Sequence, residues 1–162
     1  MMKTFTFEKL PQNIEELKAM PEAALNDPFA TAALTAAVLC HYEINVDETL
    51  EMLDYLKGPK PLSPFEKQFL CDRLVGKGYV PRSYFAGTSP QNNYEPSIPY
   101  TITVTENPYS FGNEGYATLW IASSGADTPR QVQLRAKGDT WYLWENFLLP
   151  DIRIPAAEDP WA

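Results

Sequence analysis

The chain has 162 residues, of which 44% are hydrophobic and 13% aromatic, and its net charge is −8 from 13 basic and 21 acidic side chains. This length and composition predict one domain over residues 1–162 with a core of its own. The basic side chains are not clustered, which disfavours nucleic acid and anionic membranes as partners, because both bind grouped lysines or arginines.

The N-terminal residues contain no apolar run typical of a secretory signal, and no segment reaches the length needed to cross a bilayer. We therefore expect a cytoplasmic protein. Cys40 and Cys71 each fall within a predicted helix. A chain of this size does not need a disulfide, so we expect both to be free, buried thiols.

Residues 1–77 predict a mainly helical half. Residues 3–8 alternate between polar and apolar and are compatible with a short strand. Asn13 is placed to cap a short helix that Pro21 ends. Asp27 and Pro28 then begin a longer helix, because aspartate is a favourable cap and proline is tolerated at the first helical position.

The helix after Pro28 is apolar on nearly every side, which is typical of a helix in the centre of a fold. Residues 47–57 predict an amphipathic helix that Gly58 ends. Ser63 and Glu66 have the spacing of a capping box and begin a further helix. In that last helix, four apolar residues are expected to face inward: Phe65, Phe69, Leu70 and Leu74.

After residue 100 the period of the pattern changes from 3.6 to 2. Four alternating runs predict strands over residues 100–106, 116–123, 130–136 and 140–147. Short connections between them favour an antiparallel meander. The expected inward face carries Ile102, Val104, Leu119 or Trp120, Val132, Leu134 and Leu143. The predicted fold class is therefore α+β, with an N-terminal helical half packed on a C-terminal four-stranded antiparallel meander.

The Pro/Tyr segment, residues 78–100, connects the two halves. It contains four prolines and four tyrosines, and the prolines leave little room for regular hydrogen bonding. Its aromatic content is too high for a disordered linker. A long connection of this kind is expected to be ordered, and such connections often carry function.

Common catalytic and cofactor motifs are missing from the chain. The single histidine, His41, neighbours Cys40, but adjacent helical residues point in different directions and make a poor pair of metal ligands. No glycine-rich phosphate loop and no G-x-S-x-G motif occurs. The sequence therefore predicts no catalytic residue, no metal site and no cofactor.

Two interpretations of the Pro/Tyr segment stay open. Arg82, Tyr84, Asn92, Asn93 and Tyr94 bring hydrogen-bonding groups and flat rings onto one connection, and aromatic residues with arginine dominate binding hot spots. Alternatively, the rings cover the core and fix the segment to the sheet. The tail has the same ambiguity, with its tryptophan expected to dock on the body.

Four runs resemble a family of small uncharacterised bacterial proteins classed as a domain of unknown function. The runs are DPFATAAL (27–34), YVPRSYF (79–85), NPYSFGNEGYA (107–117) and EDPWA at the end. The resemblance covers nearly the whole chain and implies a bacterial, cytoplasmic protein without implying any catalytic residue. Helices followed by a meander with an aromatic last strand also resemble nuclear-transport-factor-2-like and cystatin-like folds, which is an analogy of fold alone.

We therefore expect a non-enzymatic interaction or ligand-binding module whose partner is an unidentified protein or small molecule. One alternative is a small-molecule-binding or hydrolytic enzyme with a pocket between helices and sheet. Another is a structural subunit of a homo-oligomer, since the sequence leaves the oligomeric state open.

Overall fold

The computed structural model describes residues 1–162 and contains five helices and five strands. The helices are α1 (Ile14–Lys18), α2 (Pro28–Leu39), α3 (Val46–Lys57), α4 (Pro64–Leu74) and α5 (Tyr79–Arg82). The strands are β1 (Met2–Phe7), β2 (Tyr100–Thr105), β3 (Tyr116–Ile121), β4 (Arg130–Lys137) and β5 (Thr140–Asn146). Three short 3₁₀ helices cover Pro21–Ala24, Pro90–Asn92 and Ala156–Glu158. The combination is an α+β fold.

The sheet is antiparallel with five strands in the order β1-β2-β3-β4-β5, so the prediction of four strands was wrong. The additional strand is β1, which pairs with β2 along its whole length from Met2↔Thr105 to Phe7↔Tyr100. Alternation within residues 3–8 is compatible with a strand, but it does not identify a partner so distant in sequence. In the fold, β1 covers the edge of β2 that would otherwise be unpaired.

The Pro/Tyr segment is inserted where β2 and β3 separate. These two strands pair only at Val104↔Ile121 and Thr105↔Trp120. Beyond that point, the Ala86 amide donates to the Thr101 carbonyl at 2.8 Å, and the Ser124 amide donates to the Ser83 carbonyl at 2.9 Å. The segment also contains α5 and a 3₁₀ turn, so it is more regular than the predicted connection.

Helix α2 lies at the centre of the helical layer, and every residue from Phe29 to Leu39 is buried. The Asp27 side chain caps its first turn by accepting from the Phe29 amide. The Thr31 hydroxyl donates to the Trp141 carbonyl at 2.8 Å, which attaches the helix to β5. All the sheet residues predicted to face inward are buried, with Leu119 in that position rather than Trp120.

The predicted helix ends are confirmed at Asn13, at Asp27 and at the capping box of Ser63 with Glu66. The prediction that Phe65 and Phe69 face inward was wrong, because Phe65 is 79% exposed and Phe69 is 38% exposed. Helix α4 buries only the stripe of Leu70 and Leu74. Around the helix axis, Phe69 lies about 100° from Leu70 and Phe65 about 140° from it, so neither ring is on the buried stripe.

The C-terminal tail does not dock through its tryptophan as predicted, since Trp161 is 92% exposed. Both cysteines are free, but the prediction that both are buried was wrong for Cys71, which is partly exposed, whereas Cys40 is buried. None of the helices combines the length and the apolar character that crossing a bilayer requires.

Candidate functional site

Two adjoining cavities lie beside the Pro/Tyr segment, with volumes of about 610 and 490 Å³. Glu43, Arg82 and Asn93 line both of them, and we call the combined space the Arg82 cleft. The larger cavity is also lined by Lys9, Glu16 and His41. The loop after β1, the turn after α2, helix α5 and the end of the Pro/Tyr segment therefore meet at one site.

An ion pair between Arg82 and Glu43 separates the two cavities. The Arg82 Nη1 and Glu43 Oε2 atoms are 2.5 Å apart, and the side chains are 22% and 38% exposed. The Arg82 Nε atom donates to the Tyr94 carbonyl at 3.2 Å, which fixes the guanidinium relative to the segment. A Cβ atom at Gly78 would lie 2.3 Å from the Glu43 carboxyl carbon, so the glycine leaves room for the carboxylate. The pair is therefore held from both sides.

His41 follows α2 and is buried, with one ring nitrogen bonded and one free. Its Nε2 atom lies 2.9 Å from Glu48 Oε1, while Nδ1 has no hydrogen-bond partner. Glu48 is itself positioned because its amide donates to the Asn45 side chain at the start of α3. When the ring is neutral, the carboxylate acceptor places its proton on Nε2, and Nδ1 is then an acceptor without a partner.

Cys40 also lines the larger cavity, but its thiol is not poised for nucleophilic attack. Burial raises the pKa of the Cys40 thiol strongly, and the nearby Arg82 guanidinium offsets only part of that rise. A thiol with a raised pKa stays protonated at neutral pH, whereas the thiolate is the nucleophile.

Tyr84 and Tyr94, two of the predicted site residues, are buried and bonded within the protein. The Tyr84 hydroxyl donates to the Leu148 carbonyl, and the Tyr94 hydroxyl donates to the Arg153 carbonyl at 2.6 Å. The Tyr94 ring stacks on Tyr79 with centroids 5.5 Å apart. Burial raises the pKa of both hydroxyls, so both remain donors. These two tyrosines tie the segment to the region after β5.

Asn92 and Asn93 differ from each other although both are exposed. The Asn92 side chain accepts from the Ser89 amide at 2.9 Å and donates to the Gly87 carbonyl at 2.8 Å, so it organises its own turn. Asn93 has a φ of 59° and lines both cavities. Of the five predicted residues, Arg82 and Asn93 are brought together at the cleft.

His41 and Glu43 were not among the predicted site residues. The sequence does carry a signal for His41, because an Asn45 cap turns the chain so that Glu48 comes back toward the histidine. No comparable signal exists for Glu43, because its partner Arg82 is distant in sequence. No three His, Cys, Asp or Glu side chains in the chain are grouped so that they could hold a metal ion.

Comparisons with known proteins give one match, to a family. No curated protein and no solved structure matches the chain. The predicted bacterial origin and the likeness to cystatin-like folds stay predictions. A model of the family described as Domain of unknown function (DUF6935) matches residues 9–156, which include all the helices α1–α5, the strands β2–β5 and every residue that lines the two cavities except Glu158. The chain therefore belongs to this family of uncharacterised domains.

Proposed function

We propose that the protein is a non-enzymatic ligand-binding module and that the Arg82 cleft binds a small zwitterionic molecule. The observation that carries this proposal is the unpartnered Nδ1 atom of His41, a buried acceptor on a residue that lines the larger cavity. Leaving a buried polar atom without a partner costs about 1 to 3 kcal/mol. A ligand that displaces the groups covering Nδ1 and donates a hydrogen bond to it would recover this free energy.

The charges of the larger cavity support a ligand that carries both signs. Two ion pairs line this cavity, Lys9 with Glu16 at 3.5 Å and Arg82 with Glu43, and Glu95 adds a carboxylate that forms no ion pair. A ligand with an ammonium group and a carboxylate would find an opposite charge for each. The volume of about 610 Å³ is within the range of ordinary small-molecule sites.

A panel of free amino acids and other zwitterions of similar size tests this proposal by ligand-observed NMR. We expect saturable binding by at least one member of the panel and its loss in Arg82→Gln and in His41→Gln. Arg153→Gln is the matched control, because Arg153 forms an ion pair with Asp127 outside the cleft. Absence of binding across the panel, or an equal loss in the Arg153 variant, would contradict the proposal.

A hydrolytic enzyme is the second candidate, and the pair of Glu48 and His41 is the observation that favours it. A carboxylate bonded to one ring nitrogen, with the other nitrogen free, is an arrangement that general bases use. Water would have to be the nucleophile, because no serine or threonine lines the larger cavity and the Cys40 thiol stays protonated.

Activated esters and phosphoesters distinguish the two candidates. An enzyme would show turnover that disappears in His41→Gln. The binding module would show the same low rate before and after that substitution. We favour the binding module because the cleft offers no side-chain nucleophile.

A further inference from the structure

A pocket of about 500 Å³, separate from the Arg82 cleft, lies at the β5 edge of the sheet, between the α3–α4 loop and the β4–β5 hairpin. Four basic residues and two rings line it, and no carboxylate does: Lys57, Lys60, Arg135, Lys137, Tyr142 and Trp144. We call this space the basic pocket. Its single sign of charge is unexpected in a chain whose net charge is −8.

The Trp144 ring orders two of the cations. The Lys60 Nζ atom lies 4.8 Å from the ring centroid, and the Arg135 guanidinium lies 4.6 Å from it. Arg135 also lies 5.3 Å from the Tyr116 ring, which stands opposite it on β3. A cation over an aromatic face is attracted by the negative charge density of the ring. Both cations are exposed, but their contacts with the Trp144 ring hold them beside the pocket.

The loop that carries Lys60 is packed against β5. Gly58 has a φ of 62°, and a Cβ atom at this position would lie 2.3 Å from the Tyr142 ring. Only a glycine allows this approach without displacing the ring. The wall of the pocket is therefore set by close packing between the loop and β5.

One cation of the basic pocket is neutralised and three are not. Lys57 is buried and donates to Glu66 at 3.0 Å and to the Trp144 carbonyl at 3.2 Å. Lys60, Arg135 and Lys137 form no ion pair with any of the 21 carboxylates of the chain. Like charges brought together in this way repel one another, and an anion bound between them would remove that repulsion.

We propose that the basic pocket binds the phosphate group of a small molecule. A phosphate monoester carries nearly two negative charges at neutral pH, with a second pKa of about 6, and so matches several cations better than a single carboxylate does. The guanidinium of Arg135 can donate two parallel hydrogen bonds to phosphate oxygens. The rings of Tyr142 and Trp144 supply apolar surface for the remainder of the molecule.

Isothermal titration calorimetry with inorganic phosphate and with phenyl phosphate tests this inference. Both probes contain the phosphate group, and phenyl phosphate adds a ring that can contact the aromatic side chains. The variants are Arg135→Gln, Lys60→Gln and Lys137→Gln. The matched control is Arg73→Gln, because Arg73 also lies over a ring, that of Phe69 at 5.2 Å, but outside the basic pocket.

We expect saturable binding of at least one probe, a loss of affinity of at least about tenfold in Arg135→Gln, and unchanged affinity in Arg73→Gln. Lys60→Gln and Lys137→Gln are each expected to weaken binding by a smaller factor. Circular dichroism verifies that each variant is folded. The proposal is overturned if neither probe binds, if the three pocket variants bind as the unchanged protein does, or if Arg73→Gln loses as much affinity as Arg135→Gln.

Discussion

The aromatic rings of the Pro/Tyr segment and those around the basic pocket are used in opposite ways. In the segment, Tyr84 and Tyr94 are buried, and each hydroxyl donates to a backbone carbonyl after β5. On the sheet, Tyr116 and Trp144 are partly exposed and carry cations over their faces. The comparison teaches that aromatic content alone does not separate packing from recognition. The polar partner of each ring separates the two roles. A hydroxyl bonded to an internal carbonyl fixes its ring within the fold, whereas a ring that lies under an unpaired cation stays available to contact a ligand.

The largest effect that tests this comparison is expected for Tyr94→Ala. The substitution removes a fully buried ring, its stack on Tyr79 and its bond to the Arg153 carbonyl. Losing a buried ring of this size costs about 3 to 5 kcal/mol in the free energy of unfolding, which urea denaturation measures. Tyr109→Ala is the control, because its ring is 84% exposed, and we expect a change within about 0.5 kcal/mol. Equal effects in the two variants would contradict the contrast.

A smaller effect is expected for Tyr84→Phe, which keeps the ring and removes the hydroxyl. The Leu148 carbonyl, on a fully buried residue, would lose its donor, at a cost of about 1 to 3 kcal/mol. Tyr142→Phe is the comparison variant, because it removes a hydroxyl with no hydrogen bond within the protein. We expect it to unfold at nearly the same urea concentration as the unchanged protein. If both variants unfold at the same concentration, the hydroxyl of Tyr84 does not fix the segment.

Acid is expected to weaken the ion pair in which Glu66 holds the Lys57 ammonium, which also donates to the Trp144 carbonyl. Burial acts to raise the pKa of this carboxyl, but the bonds from Ser63 and the Lys57 ammonium together lower it below its ordinary value of 4.5. A group with a lowered pKa in the folded state stabilises the protein above the unfolded-state pKa, and this contribution is lost as the pH falls through the folded-state pKa.

Glu66→Gln is therefore expected to lower the free energy of unfolding by about 1 kcal/mol at pH 7, because the 36% exposed carboxylate is partly screened by solvent. The same substitution should have less effect at pH 3, because the fraction of protonated Glu66 grows as the pH falls toward and through its lowered pKa. Urea denaturation of the two proteins at both pH values measures the difference. A deficit of the same size at both pH values would show that the charge of Glu66 is not responsible.

The smallest effect on stability is expected for Arg135→Gln. Its contacts with Trp144 and Tyr116 are exposed and contribute about 0.5 to 1 kcal/mol, and relief of repulsion from Lys60 and Lys137 offsets part of this. We expect the thermal midpoint to change by no more than a few degrees while phosphate affinity is lost. A large drop in the midpoint would mean that the rings of the basic pocket are structural, like those of the segment.

Much of the fold is predictable from local sequence. Asn13, Asp27 and the pair of Ser63 and Glu66 mark the starts of three helices, because a cap needs only residues within one turn of it. Alternation over residues 100–147 predicts four strands and the buried face of the sheet. The exposed Phe65 shows where this reasoning fails, because an apolar residue on a helix at the edge of a fold has no neighbour to cover it.

The candidate site was only partly predictable. Arg82 stood out because it is an arginine within a segment rich in tyrosines, and it does line the cleft. Its ion pair with Glu43 and the free nitrogen of His41 depend on chain segments that are far apart in sequence. Local patterns do not contain such contacts.

By itself the sequence determined the helix starts and the four period-two strands after residue 100, because capping and alternation act between near neighbours. The tertiary structure alone decided that β1 joins the sheet as a fifth strand, that the Pro/Tyr segment fills the gap between β2 and β3, and that unpaired cations meet around Trp144. The physical reason is the same in all three cases. Strand partners, buried hydroxyl acceptors and clusters of like charge are fixed only when distant segments pack together.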